Sequence, residues 1–242
     1  MGAEEPRVTA PGVTVADERG RRMDAATGIL AVVLFLVGFG IPGRPPVPDD
    51  SLDKIAAYLT DHRSTILVAD FIIALGAAVF IWFMGSLRSY LRAGEGGEGR
   101  LSAAAFLGGG VAAALVLAGA AAQAGLVLHI GTLSHGDVLR VAFDTYNALI
   151  TIGGAALAVA VAGASCSAAR SGALPPWAYW SGSIVAGLQI SSCAALFARS
   201  GFFAAGEPMT LIAFAGVSAW YIAVALLIVR RNGVPPVVRT EP

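Results

Sequence analysis

Charged residues are scarce in this sequence of 242 residues: Asp, Glu, Lys and Arg make up 13% of the chain, whereas 56% is hydrophobic. Soluble globular domains carry about 25% charged residues. The low charge and the mean hydropathy of +0.73 therefore exclude an ordinary soluble domain and indicate a membrane protein. Acidic and basic residues balance to a net charge of zero, so we expect no basic surface that would bind nucleic acid.

The sequence also has few residues of the kinds that carry metal or covalent chemistry. Its two cysteines, Cys166 and Cys193, lie in apolar stretches without a disulfide or zinc spacing, and we interpret them as small core residues. It contains no phosphate-binding P-loop, no H-E-x-x-H motif and no G-x-S-x-G nucleophile elbow. The histidines and acids between His129 and Asp144 match no known metal-ligand spacing. We predict no metal and no cofactor.

The few charges that do occur divide the chain into six long apolar stretches. A helix needs roughly 20 apolar residues to cross about 30 Å of hydrocarbon, and each stretch approaches or exceeds that length. A membrane barrel would instead show alternating segments of about 10 residues. We predict an all-α fold, a polytopic membrane protein built as a bundle of six transmembrane helices. The predicted spans are residues 25–43, 64–87, 103–131, 145–169, 177–198 and 208–229.

The arginine and lysine residues predict how these spans are oriented. With the N-terminus inside, the inner segments hold eleven of these residues and the outer segments hold five. Because basic residues favour the cytoplasmic side, we predict a plasma-membrane protein with both termini in the cytoplasm. Around the membrane domain of residues 25–231, the polar residues 1–24 predict a disordered tail, and residues 232–242 form a second, short tail.

The loop between the first two spans, residues 44–63, contains an amphipathic segment. Ser51 or the residue before it can cap a helix over SLDKIAAYLTDHR. Leu52, Ile55 and Leu59 then form one apolar stripe, with acidic residues on the other face. We predict a short interfacial helix in this first outer loop, which either caps the bundle or acts as a lid over a cavity.

Small residues dominate the third and fourth predicted spans, which contain Gly108 to Gly110 and the pair Gly153 and Gly154. Small side chains let the backbones of neighbouring helices approach each other closely within lipid. We therefore predict that these glycines pack helices together and that the third span lies centrally. A pore lined by small residues is the alternative.

Asp70 is the only charged residue well inside a predicted span. Charged groups in a membrane are costly and usually face the interior of a bundle, a partner or water. Most other polar residues of the spans lie toward the same, outer side. The resulting candidates for a ligand or proton site are Asp70, Gln123, His129, Asp144, Asn147, Gln189 and Arg199.

These positions predict a small polar pocket that is formed by the second, third, fourth and fifth spans and opens outward. Asp70 is expected to be its deepest charge, with His129 or Arg199 as its partner. Two alternatives stay open. Asp70 fixes the register of packed helices through a polar contact, or its side chain extends toward the membrane surface.

Three segments of the first 100 residues carry a resemblance to known proteins: FGIPGRPPVPDD, DKIAAYLTDHRSTILVADF and IWFMGSLRSYLR. Their order resembles the layout of a loose class of uncharacterised integral membrane proteins of high-GC bacteria. The resemblance implies a multi-pass membrane fold and implies no activity.

Three classes of function fit this sequence. The first is a structural or binding component of the membrane, whose partner is the lipid bilayer and which acts alone, with a protein partner or as a homo-oligomer. The second is a small-solute or proton-coupled transporter that uses Asp70. The third is an enzyme acting on a substrate in the outer leaflet, which requires that His129, Asp70 and Asp144 converge on one point.

Overall fold

The computed structural model describes residues 15–131 and 136–231. It is 84% helix, and the described residues contain no strand, so the predicted all-α fold is confirmed. The helices are α1 (Val15–Gly40), α2 (Leu52–Asp61), α3 (Arg63–Glu95), α4 (Arg100–His129), α5 (Gly136–Ser171), α6 (Pro176–Ser192) and α7 (Pro208–Arg231), with a 3₁₀ turn at Cys193–Leu196 after α6. Residues 1–14 and 232–242, which include most of the two predicted tails, lie outside the described residues.

The helix boundaries differ from the predicted spans mainly at two N-termini. α1 begins at Val15 and takes in residues 15–24, which we predicted to be part of the tail. α5 begins at Gly136 rather than near residue 145. Both extensions are helix of a more polar character that precedes the apolar stretch, and hydropathy alone does not distinguish such helix from a loop.

Four helices, α3, α4, α5 and α7, are long and apolar enough to cross a membrane. This protein is therefore a membrane protein with several helices. α1 contributes a shorter apolar segment, Ala26–Gly40, and α6 has only 17 residues. Helix length and composition thus identify four of the six predicted spans.

All the α-helices except the short α2 form a closed ring. Each of α1, α3, α4, α5, α6 and α7 packs against the next in that order, and α7 returns to pack against α1. α3 also contacts α5 across the ring. One end of the ring carries α2 and is called the capped end here. The opposite end carries the tight connections at residues 96–99 and 172–175 and is called the turn end.

Glycines bring the backbones of α4 and α5 into direct contact. A Cβ atom added at Gly108 would lie 2.7 Å from both the carbonyl oxygen of Ala156 and the amide nitrogen of Ala160. One added at Gly163 would lie 2.9 Å from the amide nitrogen of Ala105. Only a residue without a side chain permits such backbone contact. The predicted packing role of Gly108 is therefore confirmed.

α2 folds back over the ends of α3, α4 and α5. Ser51 caps it by accepting a hydrogen bond from the amide of Lys54 (3.3 Å). Ile55 and Leu59 are fully buried in an apolar cluster with residues that include Val127 and Phe143. The predicted helix and its apolar stripe are thus confirmed, and its buried face packs on the bundle as a cap.

Candidate functional site

A cavity of about 670 Å³ lies inside the ring, lined by α1, α4, α5, α6 and α7 and by Phe80 of α3. It begins at the loops of the capped end, where Arg44 and Glu207 line it, and it reaches Tyr221 of α7. From Pro208 to Tyr221 an α-helix rises about 20 Å, at 1.5 Å per residue. The cavity is therefore long and narrow and extends past the middle of α7.

The helices that enclose the cavity each present one stripe of residues to it. On α5, Ile150, Gly153 and Leu157 line the cavity at the spacing i, i+3 and i+7, which is one face of a helix. Gly153 leaves space where a side chain would otherwise project. The same spacing recurs on α7 with Phe214, Val217 and Tyr221.

Aromatic rings form the wall on the side of α1, α3 and α7. Phe39 packs edge-to-face on Phe214, with ring centroids 5.4 Å apart. Deeper in the bundle, Phe80 contacts Phe35 at 6.1 Å and Tyr221 at 5.3 Å, again edge-to-face. Such pairs are the preferred arrangement of aromatic side chains. They give the cavity an apolar wall whose shape is set by packed rings.

Most polar side chains in the lining already bond to the protein. The amide nitrogen of Gln189 donates to the carbonyl oxygen of Ala213 (2.9 Å), which joins α6 to α7. Asn147 donates to the carbonyl oxygen of Phe143 in its own helix (3.0 Å). The buried hydroxyl of Tyr221 differs, since it has no hydrogen-bond partner within the described part of the chain. A ligand would thus meet a mainly apolar surface, with the buried residue Tyr221 at its inner end.

The mouth of the cavity is bridged by one ion pair. Nη2 of Arg44 donates to Oε1 of Glu207 at 2.8 Å, which joins the α1–α2 loop to the α6–α7 loop. The backbone at Gly43 and at Gly206 has positive φ, 73° and 77°, a conformation that favours glycine. These two glycines turn the loops so that the charged residues beside them meet.

Other arginines hold the loops around this mouth. Arg140 of α5 donates to the carbonyl oxygens of Pro48 (2.6 Å) and Asp50 (2.7 Å). Arg199 lies 3.5 Å from the carboxylate of Asp144 and 3.4 Å from the Pro48 oxygen. The α1–α2 loop is therefore fastened to the rest of the capped end on the side away from Arg44.

Asp70 belongs to a second polar cluster, under α2. Its side chain is buried, and neither carboxylate oxygen has a hydrogen-bond partner among the residues described. The phenol of Tyr146 interacts electrostatically with Asp70 and with Tyr58, and it reaches the side chain of Gln123. Because Tyr146 also lines the cavity, this residue is shared by the cavity and the cluster.

The predicted partners of Asp70 are wrong. Arg199 pairs instead with Asp144. His129 is exposed at the end of α4, with its Nδ1 3.0 Å from the carbonyl oxygen of Gly125. Since Asp70 accepts no hydrogen bond in the described ranges, none joins it to His129 or Asp144. Arg199 lies in the α6–α7 loop and His129 is the last residue of α4, and sequence position alone did not show which way their side chains point.

The seven predicted site residues thus fall into separate places. Asn147 and Gln189 line the cavity, Asp70 and Gln123 lie around Tyr146, Asp144 pairs with Arg199, and His129 is exposed. The cavity is mainly apolar and bounded by α1 and α7, which the predicted polar pocket did not include. Sequence reasoning missed Arg44, Glu207 and Tyr221 as lining residues. A signal for Glu207 was present, because it is a lone acid directly before the proline that begins α7.

No group of three or more His, Cys, Asp or Glu residues suited to a metal ion occurs within residues 15–131 and 136–231. No family model, curated protein or solved structure matches this chain.

Proposed function

We propose that this chain is a membrane-embedded binding protein that holds an apolar or amphipathic small molecule in the cavity of its helix ring. The cavity supports this proposal, because its volume of about 670 Å³ lies in the range of small-molecule sites, roughly 300–1,000 Å³. Such sites are usually apolar, with a few polar groups at defined positions. Here the polar groups include Arg44 with Glu207 at the mouth and the side chains of Asn147 and Gln189 in the wall.

The proposed setting is the plasma membrane, crossed six times. α1 and α6 complete the ring with the four helices of spanning length, and α6 continues through a 3₁₀ turn that lengthens it. With both termini in the cytoplasm, the turn end is cytoplasmic and the cavity opens outward. Cysteines introduced at Glu95 and Asp137, in a background without Cys166 and Cys193, test this topology. Labelling of both from the same side would contradict it.

Binding is tested with a photoreactive alkane that carries a diazirine, added to the purified protein in nanodiscs. We expect saturable labelling of cavity residues, which an excess of the unlabelled alkane prevents. Val116→Trp places a large ring in the cavity and should abolish that labelling. Val111→Trp is the matched control, because Val111 is on the same helix, is 51% exposed and does not line the cavity. Equal labelling of the two variants would contradict the proposal.

A proton-coupled transporter is the second candidate, favoured by the unpartnered carboxylate of Asp70. A buried charge without a partner costs several kcal/mol unless a proton or a cation neutralises it. Tyr146 interacts electrostatically with Asp70 and also lines the cavity. In proteoliposomes, transport predicts uptake of the cavity ligand that depends on a pH gradient and is lost in Asp70→Asn. A binding protein predicts saturable binding without such uptake, both in the native protein and in the variant.

The lipid bilayer is its proposed partner. Alternatively, the partner is a second copy of this chain or another protein. The molecular mass of the protein assembly in nanodiscs tests this alternative.

A further inference from the structure

We propose that the cavity selects amphiphiles with a cationic head group, such as an alkylammonium ion, and that this head group replaces Arg44 on Glu207. This inference rests on the proposed function, since it names the class of ligand that the same cavity would take. It is drawn from the unequal burial of the two charged residues at the mouth.

Arg44 and Glu207 are the charged residues in the cavity lining. The side chain of Arg44 is 76% exposed, whereas that of Glu207 is only 20% exposed. The positive member of the pair can therefore move into water without losing packing. The negative member stays at the mouth, partly removed from water.

The backbone around Glu207 holds it in place. Its carbonyl oxygen accepts hydrogen bonds from the amide of Thr210 (3.0 Å), the amide of Leu211 (3.2 Å) and the hydroxyl of Thr210 (2.8 Å). Its own amide donates to Ala204 (3.1 Å). Glu207 precedes the first turn of α7, where the helix dipole favours a negative charge. The backbone of Glu207 is thus held in place, which keeps its carboxylate near the entrance.

An anionic head group could bind Arg44 only beside the carboxylate of Glu207, or by drawing Arg44 away from it. The first arrangement puts two negative charges together and the second leaves Glu207 unpaired in a partly buried place, and both are unfavourable. A cationic head group would keep Glu207 paired. The released Arg44 would become hydrated at little cost, because its side chain is already 76% exposed.

The apolar part of the site agrees with this choice. Phe39 and Phe214 pack on each other in the cavity wall below the charged mouth. Aromatic faces attract cations through their electrostatic quadrupole and give no such attraction to anions. An alkyl chain can extend past these rings toward Tyr221, while the ammonium group remains at Glu207.

The test compares three amphiphiles with the same alkyl chain: dodecylammonium, dodecanol and dodecanoate. Each competes with the photoreactive alkane for the protein in nanodiscs of phosphatidylcholine, whose neutral surface does not concentrate either ion. We expect dodecylammonium to displace the probe at a concentration roughly ten-fold lower than dodecanol, because a hydrogen bond from an ammonium ion to a carboxylate is stronger than one from a neutral hydroxyl. Dodecanoate should be the weakest competitor.

Two variants and one control separate the roles of the charges. Glu207→Gln should remove the preference for the ammonium head group, whereas Asp49→Asn, which changes an exposed acid outside the lining, should keep it. Arg44→Gln should leave the preference intact or strengthen it, because the internal competitor for Glu207 is gone.

Equal competition by dodecanol and dodecylammonium would overturn the charge selection and leave the proposed binding intact. A preference for dodecanoate that disappears in Arg44→Gln would likewise overturn it, since Arg44 would then be the recognition group. Failure of all three compounds, together with equal labelling of Val116→Trp and Val111→Trp, would instead contradict the proposed function.

Discussion

The turn end and the capped end of the ring are held together by different forces. At the turn end, α4 and α5 are in backbone contact at Gly108 and Gly163, and a continuous apolar cluster fills the ring. At the capped end, α2 packs on a smaller apolar cluster, and beside it the helices leave a cavity whose mouth is crossed by long polar side chains that tie loops together. Close packing gives rigidity, whereas ion pairs between loops allow an opening. The cavity opens where ion pairs between loops replace close packing of helices.

Gly108→Leu should break the closely packed region and have the largest effect. The new side chain would meet the backbone of α5, which cannot give way as the end of a flexible side chain can. We expect a loss of about 3 kcal/mol or more in the free energy of unfolding, at or above the usual range for overpacking.

Unfolding of the purified protein in detergent measures this loss. Gly110→Leu is the control, because a side chain there meets nothing within 4 Å. Equal stability of the two variants would show that α4 and α5 are not in such close contact.

Glu95→Ala should weaken the turn end by an intermediate amount. The carboxylate of Glu95 accepts hydrogen bonds from the amides of Leu101 (2.8 Å) and Ser102 (2.9 Å) at the start of α4 and from the hydroxyl of Ser167 on α5 (3.1 Å). Losing these bonds should lower the free energy of unfolding by about 1–2 kcal/mol.

The comparison for this variant is Glu98→Ala. Glu98 pairs only with the exposed Arg100 in the described part of the chain, so its loss should cost about 0–0.5 kcal/mol. An equal loss of stability in both variants, measured by the same detergent unfolding, would argue against the capping role of Glu95.

Asp50→Asn should have the smallest effect, and that effect should depend on pH. The ammonium group of Lys54 and the amide of Val47 donate hydrogen bonds to this carboxylate and hold its pKa below the ordinary 3.8. Because the pKa is lowered by folding, the carboxylate stabilises the protein above pH 3.8, and this contribution is lost as the pH falls through the lower, folded value.

The melting temperatures of the native protein and of Asp50→Asn should therefore differ slightly at neutral pH and converge in acid. Asp49→Asn is the neighbouring control, since Asp49 is exposed. A difference that persists below the pKa of Asp50 would show that the charge of this residue is not what stabilises the loop.

Local patterns predicted the helices well. The cap at Ser51 and the apolar stripe of Ile55 and Leu59 lie within one short segment, so residue spacing alone predicted the helix α2 and its buried face. The glycines of α4 were predictable as packing residues for the same reason. The site was predicted less well, because depth along a helix shows how far a residue lies from the surface and not the direction in which it points.

Asp70 illustrates this limit. Its isolation in an apolar stretch singled it out, and it is indeed buried. Its neighbour Tyr146 lies on α5, and nothing in the spacing of the sequence predicts that these two residues lie near each other. His129 and Arg199 were expected as partners because of their predicted depth in the membrane. In the structure, His129 is exposed and Arg199 pairs with Asp144.

The sequence by itself determined that this is a helical membrane protein. The spacing of its few charges and the length of its apolar stretches are local properties, and they decide whether a helix can lie in the hydrocarbon core of a bilayer. Only the tertiary structure decided where the cavity lies, because it depends on α1 and α7 becoming neighbours and closing the ring. The same closure brings Arg44 and Glu207, 163 positions apart, to one mouth. Contacts between distant parts of a chain follow from packing of the whole, and no local pattern encodes them.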